Sequence, residues 1–118
     1  MKEKILPHDH GQISSEVLLE LSMNKTFLSV SELFKMLSDE NRIRIFWLLC
    51  HCEECVLNLS VMMEMSSPAV SHHLKLLKSG GLITNRREGK EVYYKAAETE
   101  QAQLLHHMIE KIVKISCP

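Results

Sequence analysis

The chain has 118 residues, of which 45% are hydrophobic, and a formal net charge of −1. This length supports one modest core and excludes a separate catalytic domain. The sequence shows neither a membrane-length apolar run nor a basic and apolar leader, so we expect a cytoplasmic protein without a membrane partner. The four cysteines are then expected to be metal ligands or reactive thiols, because a reducing compartment disfavours permanent disulfides.

The N-terminal segment is predicted to be a flexible arm over residues 1–12, because it contains Pro7 and Gly11 but no apolar period. Residues 13–118 are predicted to form one folded domain.

Three helices are predicted to open this domain. The first begins at Ser14 or Ser15, the second covers residues 29–37, and the third follows a Ser38-Asp39-Glu40 cap. The apolar face of the first helix comprises Val17, Leu18 and Leu21.

Three cysteines crowd into the sequence Cys50-His51-Cys52-Glu53-Glu54-Cys55 where the third helix is expected to end. Glu53 and Glu54 are interpreted as part of a solvated turn. Thiolates at this spacing can surround one soft ion if the helix ends after Cys50. Alternatively, the thiols are structural, since free cysteine is often buried and Cys50 continues an apolar face.

A pair of short helices is predicted next. The first covers residues 56–63, and the second opens with a Ser67 cap and Pro68 and ends at Ser79-Gly80-Gly81. Two short helices joined by a tight turn predict a helix-turn-helix, whose second helix meets a DNA groove. Helical spacing places two sets of residues on opposite sides of this second helix. The inward set is Val70, Leu74 and Leu77, and the outward set is His72, Lys75 and Ser79.

The period then changes to two, and residues 82–95 predict a β-hairpin with Gly89 near its tip. Basic residues concentrate here, because five of them stand against one acid between Ser71 and Lys90, a local net charge of +4. A hairpin of this kind predicts a wing that holds DNA phosphates beside the recognition helix. The charged residues of the patch are Lys75, Lys78, Arg86, Arg87 and Lys90 against Glu88.

Helical spacing returns over residues 98–115, where an apolar seam is expected to pack against the same helix of a second subunit. The predicted fold is therefore mainly α with a small β-hairpin, a winged helix-turn-helix that forms a homodimer through its terminal helices. The seam comprises Leu105, Met108, Ile109, Ile112 and Val113.

Four segments carry a specific combination of motifs. They read Leu37-Ser38-Asp39-Glu40-Asn41-Arg42, Ser71-His72-His73-Leu74-Lys75-Leu76-Leu77, Gly81-Leu82-Ile83 and Arg86-Arg87-Glu88-Gly89-Lys90-Glu91-Val92-Tyr93-Tyr94. Over about residues 28–96 the chain resembles the ArsR/SmtB family of bacterial winged-helix repressors. The resemblance implies a homodimer that binds an operator near a resistance or efflux operon and releases it when a metal, metalloid or thiol oxidant acts.

The resemblance also implies site residues. The family's DNA-contacting serine and histidine fall on Ser71 and His72, and its thiolate ligand before the recognition helix falls on Cys55. The partner cysteine of that signature falls on Leu57, which leaves Cys50 and Cys52 as the candidate replacements.

Zinc-sensing members of the family use an acid and histidines on the terminal helix. The acid position falls on Glu98, but the histidine position falls on Glu100, so the resemblance disfavours a zinc site of that form. His106 and His107 are accordingly interpreted as packing or solvent-facing residues, and His73 as a structural histidine.

The predicted metal ligands are Cys50, Cys52 and Cys55, with a fourth ligand from His51 or from Cys117, His8 or His10. Such donors favour zinc, cadmium, lead, trivalent arsenic or Cu(I), of which zinc and cadmium need the fourth ligand. The alternative is a thiol-redox or persulfide sensor with no bound cofactor, in which one thiol bonds reversibly to another such as Cys117.

These patterns predict a repressor that leaves its operator when a soft metal binds the cysteines. No arrangement of side chains suggests an enzyme, and a small metal chaperone or buffer is disfavoured by the helix-turn-helix. The predicted DNA contacts are Ser67, Ser71, His72, Lys75, Arg86, Arg87 and Lys90.

Overall fold

A computed structural model describes residues 6–11 and 13–116, without the side chains of Ile115 and Ser116. The chain divides after Ser31 into two compact units, whereas the sequence pattern placed the boundary after residue 12. The predicted flexible arm stays a prediction, because residues 1–5 and Gln12 lie outside the described residues. No described helix combines the length and the apolar character needed to cross a membrane.

The first unit contains α1 (Ser15–Met23) and the beginning of α2 (Thr26–Met36). Ser14 caps α1, because its hydroxyl accepts a hydrogen bond from the Val17 amide. The apolar face predicted for α1 is exposed to solvent, with Val17 55% and Leu21 64% exposed. Neither helix contains a buried residue, so both present apolar side chains to solvent.

The second unit holds the remaining elements, which occur in the predicted order with one addition. A two-residue strand, β1, lies between the third and fourth helices. The elements are α3 (Glu40–Leu49), β1 (Glu54–Cys55), α4 (Val56–Met63), α5 (Ser67–Ser79), β2 (Ile83–Glu88), β3 (Glu91–Ala96) and α6 (Glu100–Ser116).

Helix caps set the boundaries of the predicted helices. Asp39 caps α3 by accepting a hydrogen bond from the Arg42 amide at 3.1 Å. Ser66 rather than Ser67 caps α5, because its hydroxyl accepts from the Ala69 amide. Ser67 is thus the first helical residue, and Pro68 occupies the first turn, where no backbone donor is lost.

The predicted hairpin belongs to a three-stranded antiparallel sheet with the order β1-β3-β2. In β1, Glu54 pairs with Tyr94 and Cys55 with Tyr93. The β2–β3 ladder closes at Glu88 and Glu91, which leaves a two-residue turn whose Gly89 has a φ of +63°. Glycine is favoured there because it adopts positive φ without steric cost.

The core of the second unit lies between α3, α4, α5 and α6 and the start of the wing, the β2–β3 hairpin. The inward set predicted for α5 is confirmed, since Val70, Leu74 and Leu77 are at most 1% exposed. On α6, Leu105 is buried in this core, whereas Ile112 and Val113 are 53% and 50% exposed. The predicted seam is therefore shared between the core and solvent.

Candidate DNA interface and metal-ligand clusters

The turn between α4 and α5 is tight. Glu64 ends α4 in the left-handed conformation (φ 53°, ψ 45°), Met65 follows, and Ser66 caps α5. Both helices are held on the same core, by Leu59 from α4 and Leu74 from α5. A three-residue turn between two packed helices is the helix-turn-helix arrangement, in which the second helix is free to enter a groove.

The outward set predicted for α5, His72, Lys75 and Ser79, is exposed as predicted, and Ser71 is exposed as well. Ser71, His72 and Lys75 are called the outer face of α5 below. Ser67, at the N-terminal end of the same helix, is partly buried. The face therefore offers a hydroxyl, an imidazole and an ammonium group to solvent on a rigid helix. Hydrogen-bonding groups of this kind can contact base edges and phosphates.

His73 has a structural role next to this face. It is only 8% exposed, and its Nδ1 atom lies 3.3 Å from Nη1 of Arg42 on α3. Burial lowers the pKa of His73, so the neutral ring can accept a hydrogen bond from the guanidinium. Arg42 is itself held by a hydrogen bond from Nε to the Met36 carbonyl at 2.6 Å. The contact joins the recognition helix to α3.

Arg86 of the wing is engaged by two acids. Its guanidinium donates to both carboxylate oxygens of Glu53 at 2.9 and 2.7 Å and to Glu88 at 2.6 Å, and it lies over the Tyr93 ring. Hydrogen bonding from Arg86 lowers the pKa of Glu53, which keeps this carboxylate ionised. Glu53 is thus an ion-pair partner rather than a residue of a solvated turn.

Two further wing cations, Arg87 and Lys90, differ from Arg86. Arg87 and Lys90 are exposed, and neither forms an ion pair within residues 6–11 and 13–116. Two carboxylates surround Arg86, and Nζ of Lys95 lies 3.5 Å from Glu98. The positive potential available to DNA on the wing therefore comes mainly from Arg87 and Lys90.

The cysteine segment, residues 50–55, does not present its thiols as one group. Cys50 follows the last turn of α3 and is partly buried, and Cys55 in β1 is 9% exposed. The Cys52 thiol donates to the Leu48 carbonyl at 3.4 Å. Within the described residues, no set of three metal-ligand atoms within 4.8 Å of one another includes a cysteine.

Two of these thiols resist ionisation. Burial, together with the charge of Glu110, raises the pKa of Cys50 to about 11. Burial and the charge of Glu54 also raise the pKa of Cys52. Both thiols are therefore largely protonated at neutral pH.

Cys50 and Cys52 nevertheless line one cavity of about 310 Å³ between α3, β3 and α6. Glu53 and His106 contribute to the same wall. The cavity gives a ligand a route to two of the predicted sulfur donors.

The predicted ligands Cys117, His8 and His10 stay predictions. Cys117 lies outside the described residues. His8 and His10 belong to the first unit, where their exposed rings stack with centroids 5.5 Å apart.

A cluster that the sequence analysis missed includes one residue of the cysteine segment. The histidine cluster consists of His51, two residues after the end of α3, and His106 and Glu110 on α6. Their three ligand atoms lie within 4.8 Å of one another. The four-residue spacing of His106 and Glu110 was a sequence signal, since it places both side chains on one helix face. His51 was predicted as a fourth ligand of the cysteines, but nothing local placed it next to His106 and Glu110.

Comparisons with known proteins agree with this geometry. The family described as "Bacterial regulatory protein, arsR family" matches residues 39–85. A cadmium resistance transcriptional regulatory protein CadC homolog of Staphylococcus aureus is 39% identical over 66% of this chain and 65% of its own length. An arsenical resistance operon repressor of the same organism is 32% identical over 75% of this chain and 78% of its own.

The match covers 65% of the cadmium regulator and 61% of an Escherichia coli arsenical resistance operon repressor, so the chain spans less than two thirds of these relatives. All three relatives are named as regulators or repressors.

Solved structures share the fold. Reduced HlyU from Vibrio cholerae superposes with a TM-score of 0.68 at 32% identity, covering 82% of this chain and 98% of HlyU. A homodimeric winged helix-turn-helix DNA-binding domain from Mycobacterium bovis gives 0.69 at 28% identity, with 92% and 93% covered. From its helix-turn-helix, its wing and these relatives, the chain belongs to the ArsR family of bacterial regulatory proteins.

Proposed function

We propose that this protein is a homodimeric transcriptional repressor that binds operator DNA and leaves it when a soft metal or metalloid binds. The observation that carries the proposal is the exposed polar outer face of α5 beside the uncompensated cations Arg87 and Lys90. A rigid helix that presents donors and acceptors next to a basic hairpin matches a DNA groove and its flanking phosphates.

The proposed contacts divide into two kinds. Ser71 and His72 contact base edges and give specificity, whereas Ser67, Lys75, Arg87 and Lys90 contact phosphates. Arg86 can reach a phosphate only by leaving Glu53 and Glu88, so we assign it a smaller share of the affinity.

Dimerisation is proposed through apolar side chains that one chain leaves open. On α6, Leu104 is 66% exposed and Ile112 53% exposed. The M. bovis domain, with 93% of its length covered, is described as homodimeric. A symmetric pair places two α5 helices against half-sites about one helical turn, roughly 34–36 Å, apart.

The inducer proposal concerns the cysteine segment. The relatives named above are regulators of cadmium and arsenical resistance, and thiolates are the ligands that such ions prefer. The three thiols do not lie within 4.8 Å of one another as a group, so ion capture requires residues 50–55 to move. It also requires the thiols to lose their protons. Cys55 pairs with Tyr93 in the sheet and directly precedes α4.

Movement of Cys55 would therefore act on the helix-turn-helix. Displacing β1 shifts the start of α4, and α4 packs against α5 on the common core. A coupling of about 1–3 kcal/mol between ion binding and DNA binding is typical of such linkage and is reciprocal.

A thiol-redox or persulfide sensor is the second candidate. The raised pKa of Cys50 and Cys52 opposes thiol exchange and ion capture alike, since both need the thiolate. The response of the reduced protein to Cd(II) or As(III) therefore separates the two candidates. A metal chaperone is the remaining alternative, and it would not need an exposed outer face on α5.

The test is DNA binding by the fully reduced, metal-free protein under anaerobic conditions. Fluorescence anisotropy with the DNA upstream of its own gene should show specific binding that Cd(II) or As(III) weakens by about 5- to 150-fold. The variant Cys50→Ser/Cys52→Ser/Cys55→Ser should bind the same DNA but lose the response. Unchanged wild-type affinity with every soft ion contradicts metal release, and no specific binding contradicts the repressor.

A further inference from the structure

We propose that His51, His106 and Glu110 bind one divalent ion of the zinc type, at a site that uses none of the three cysteine thiols. The proposal goes beyond the repressor function and does not depend on it, because it concerns an ion that joins α6 to the end of α3.

The three ligand atoms already lie close together. Nε2 of His106 lies 3.0 Å from Oε1 of Glu110 and 3.3 Å from Nε2 of His51. The third edge, from Nε2 of His51 to Oε1 of Glu110, is also 3.3 Å. The three atoms thus form a nearly equilateral triangle.

This triangle has the size that a tetrahedral ion requires. Zinc bonds of about 2.0–2.1 Å to imidazole nitrogen and about 2.0–2.2 Å to carboxylate oxygen separate neighbouring ligand atoms by about 3.3–3.5 Å. The observed edges of 3.0–3.3 Å match that separation with little adjustment. The thiols of the cysteine segment show no comparable arrangement.

The surroundings orient the ligands and leave access from solvent. The His51 ring packs against Trp47 with centroids 4.6 Å apart and meets the His106 ring edge to face at 4.9 Å. His106 and Glu110 are one helical turn apart on α6. The three side chains are 29–45% exposed, so a hydrated ion can reach them and water can complete the shell.

The donor set selects the class of ion. Two imidazoles and one carboxylate suit zinc, cobalt or nickel, whereas soft ions such as Cd(II) and As(III) favour thiolates. Three protein ligands leave one tetrahedral position for water.

Co(II) is the probe for the test, because its visible absorption reports ligand type and its binding should quench Trp47, the only tryptophan of the chain. The full-length reduced protein should show tetrahedral Co(II) bands without a sulfur-to-cobalt charge-transfer band. The Cys50→Ser/Cys52→Ser/Cys55→Ser variant should keep these bands. Loss of the bands in that variant, or a charge-transfer band in the wild type, overturns the proposal.

The matched control is the adjacent exposed histidine on the same helix. His106→Ala and Glu110→Gln should each weaken Co(II) binding roughly 100-fold or more, whereas His107→Ala should not weaken it. The loss should be this large because removing a group that only hydrogen-bonds to a metal ligand already costs roughly 10–100-fold. Circular dichroism of the ion-free variants checks folding, and Glu110→Gln keeps the test valid if His106→Ala unfolds. Equal affinity in His107→Ala and Glu110→Gln contradicts the site, whatever the DNA-binding result.

Discussion

The outer face of α5 and the cysteine segment are both candidate binding regions, but they differ in readiness. Ser71, His72 and Lys75 are exposed on a capped helix whose other side is packed in the core. Two of the thiols are less accessible. Cys55 is 9% exposed in a strand, and the Cys52 thiol donates a hydrogen bond to a backbone carbonyl. The outer face of α5 is therefore already arranged for contact, whereas joining all three thiols on one ion requires a rearrangement.

This difference suggests an order of events for a repressor. Under this proposal the outer face of α5 binds DNA as it stands, whereas capture of a soft ion must first release Cys52 from Leu48 and Cys55 from the sheet. An ion that does so changes the segment leading into α4. A rearrangement that favours ion binding and disfavours DNA binding links the two events energetically.

The largest expected effect separates the two sides of α5. Leu74 is 1% exposed, so Leu74→Ala should lower the free energy of unfolding by about 2–5 kcal/mol through lost burial and a cavity. Urea unfolding measures it. Lys75→Ala, one residue away on the exposed side, should change it by less than about 0.5 kcal/mol. Similar losses in the two variants would contradict the assignment of the faces.

The next effect concerns how strongly the surroundings of Cys50 suppress the ionisation of its thiol. A pKa of about 11 rather than 9.0 for Cys50 makes its thiolate about 100-fold scarcer near neutral pH than that of an ordinary cysteine. Because a raised pKa keeps the thiol protonated, iodoacetamide alkylation of Cys50 should rise about tenfold per pH unit up to pH 10. Mass spectrometry of the labelled residue measures the rate. Labelling as fast as that of a short cysteine peptide at pH 8 would contradict the raised pKa of Cys50.

A smaller effect is expected on DNA specificity. His72→Ala should weaken binding to the upstream DNA by about 1–3 kcal/mol and weaken binding to random duplex less, because a base contact is lost. His107→Ala, an exposed histidine away from α5, is the control. Anisotropy with both duplexes measures the ratio, and equal losses on both would remove His72 from base recognition.

The smallest effect distinguishes the two arginines of the wing. Arg87→Ala should lower the slope of log affinity against log salt by about 1, because one phosphate contact is lost. Arg86→Ala should lower it less, since Glu53 and Glu88 already engage its guanidinium. A larger change in Arg86→Ala than in Arg87→Ala would mean that DNA displaces both acids.

Local patterns predicted much of the DNA-binding half of the molecule. The spacing of Val70, Leu74 and Leu77 identified the inward side of α5, because a helix repeats its side-chain directions every 3.6 residues. Asp39 and Gly89 marked a helix start and a hairpin turn for equally local reasons. Each of these signals lies within one element, so no tertiary contact is needed to interpret it.

The features that sequence reasoning missed are tertiary. The Arg86 to Glu53 ion pair joins residues 33 apart, and the contact of His106 with His51 joins residues 55 apart. The two-residue strand β1 is too short to show a period of two, and only pairing with β3 reveals it. Cysteines that are neighbours in sequence were expected to converge, but each is held by different surroundings.

The central claim is that the ion-free protein recognises a specific DNA sequence through the outer face of α5. Selection from a library of random duplexes by the reduced, metal-free protein tests it most directly. We predict enrichment of a near-palindromic sequence with half-sites about 10–10.5 base pairs apart, lost in the Ser71→Ala/His72→Ala variant. Absence of any enriched sequence, or the same enrichment in that variant, would contradict the claim.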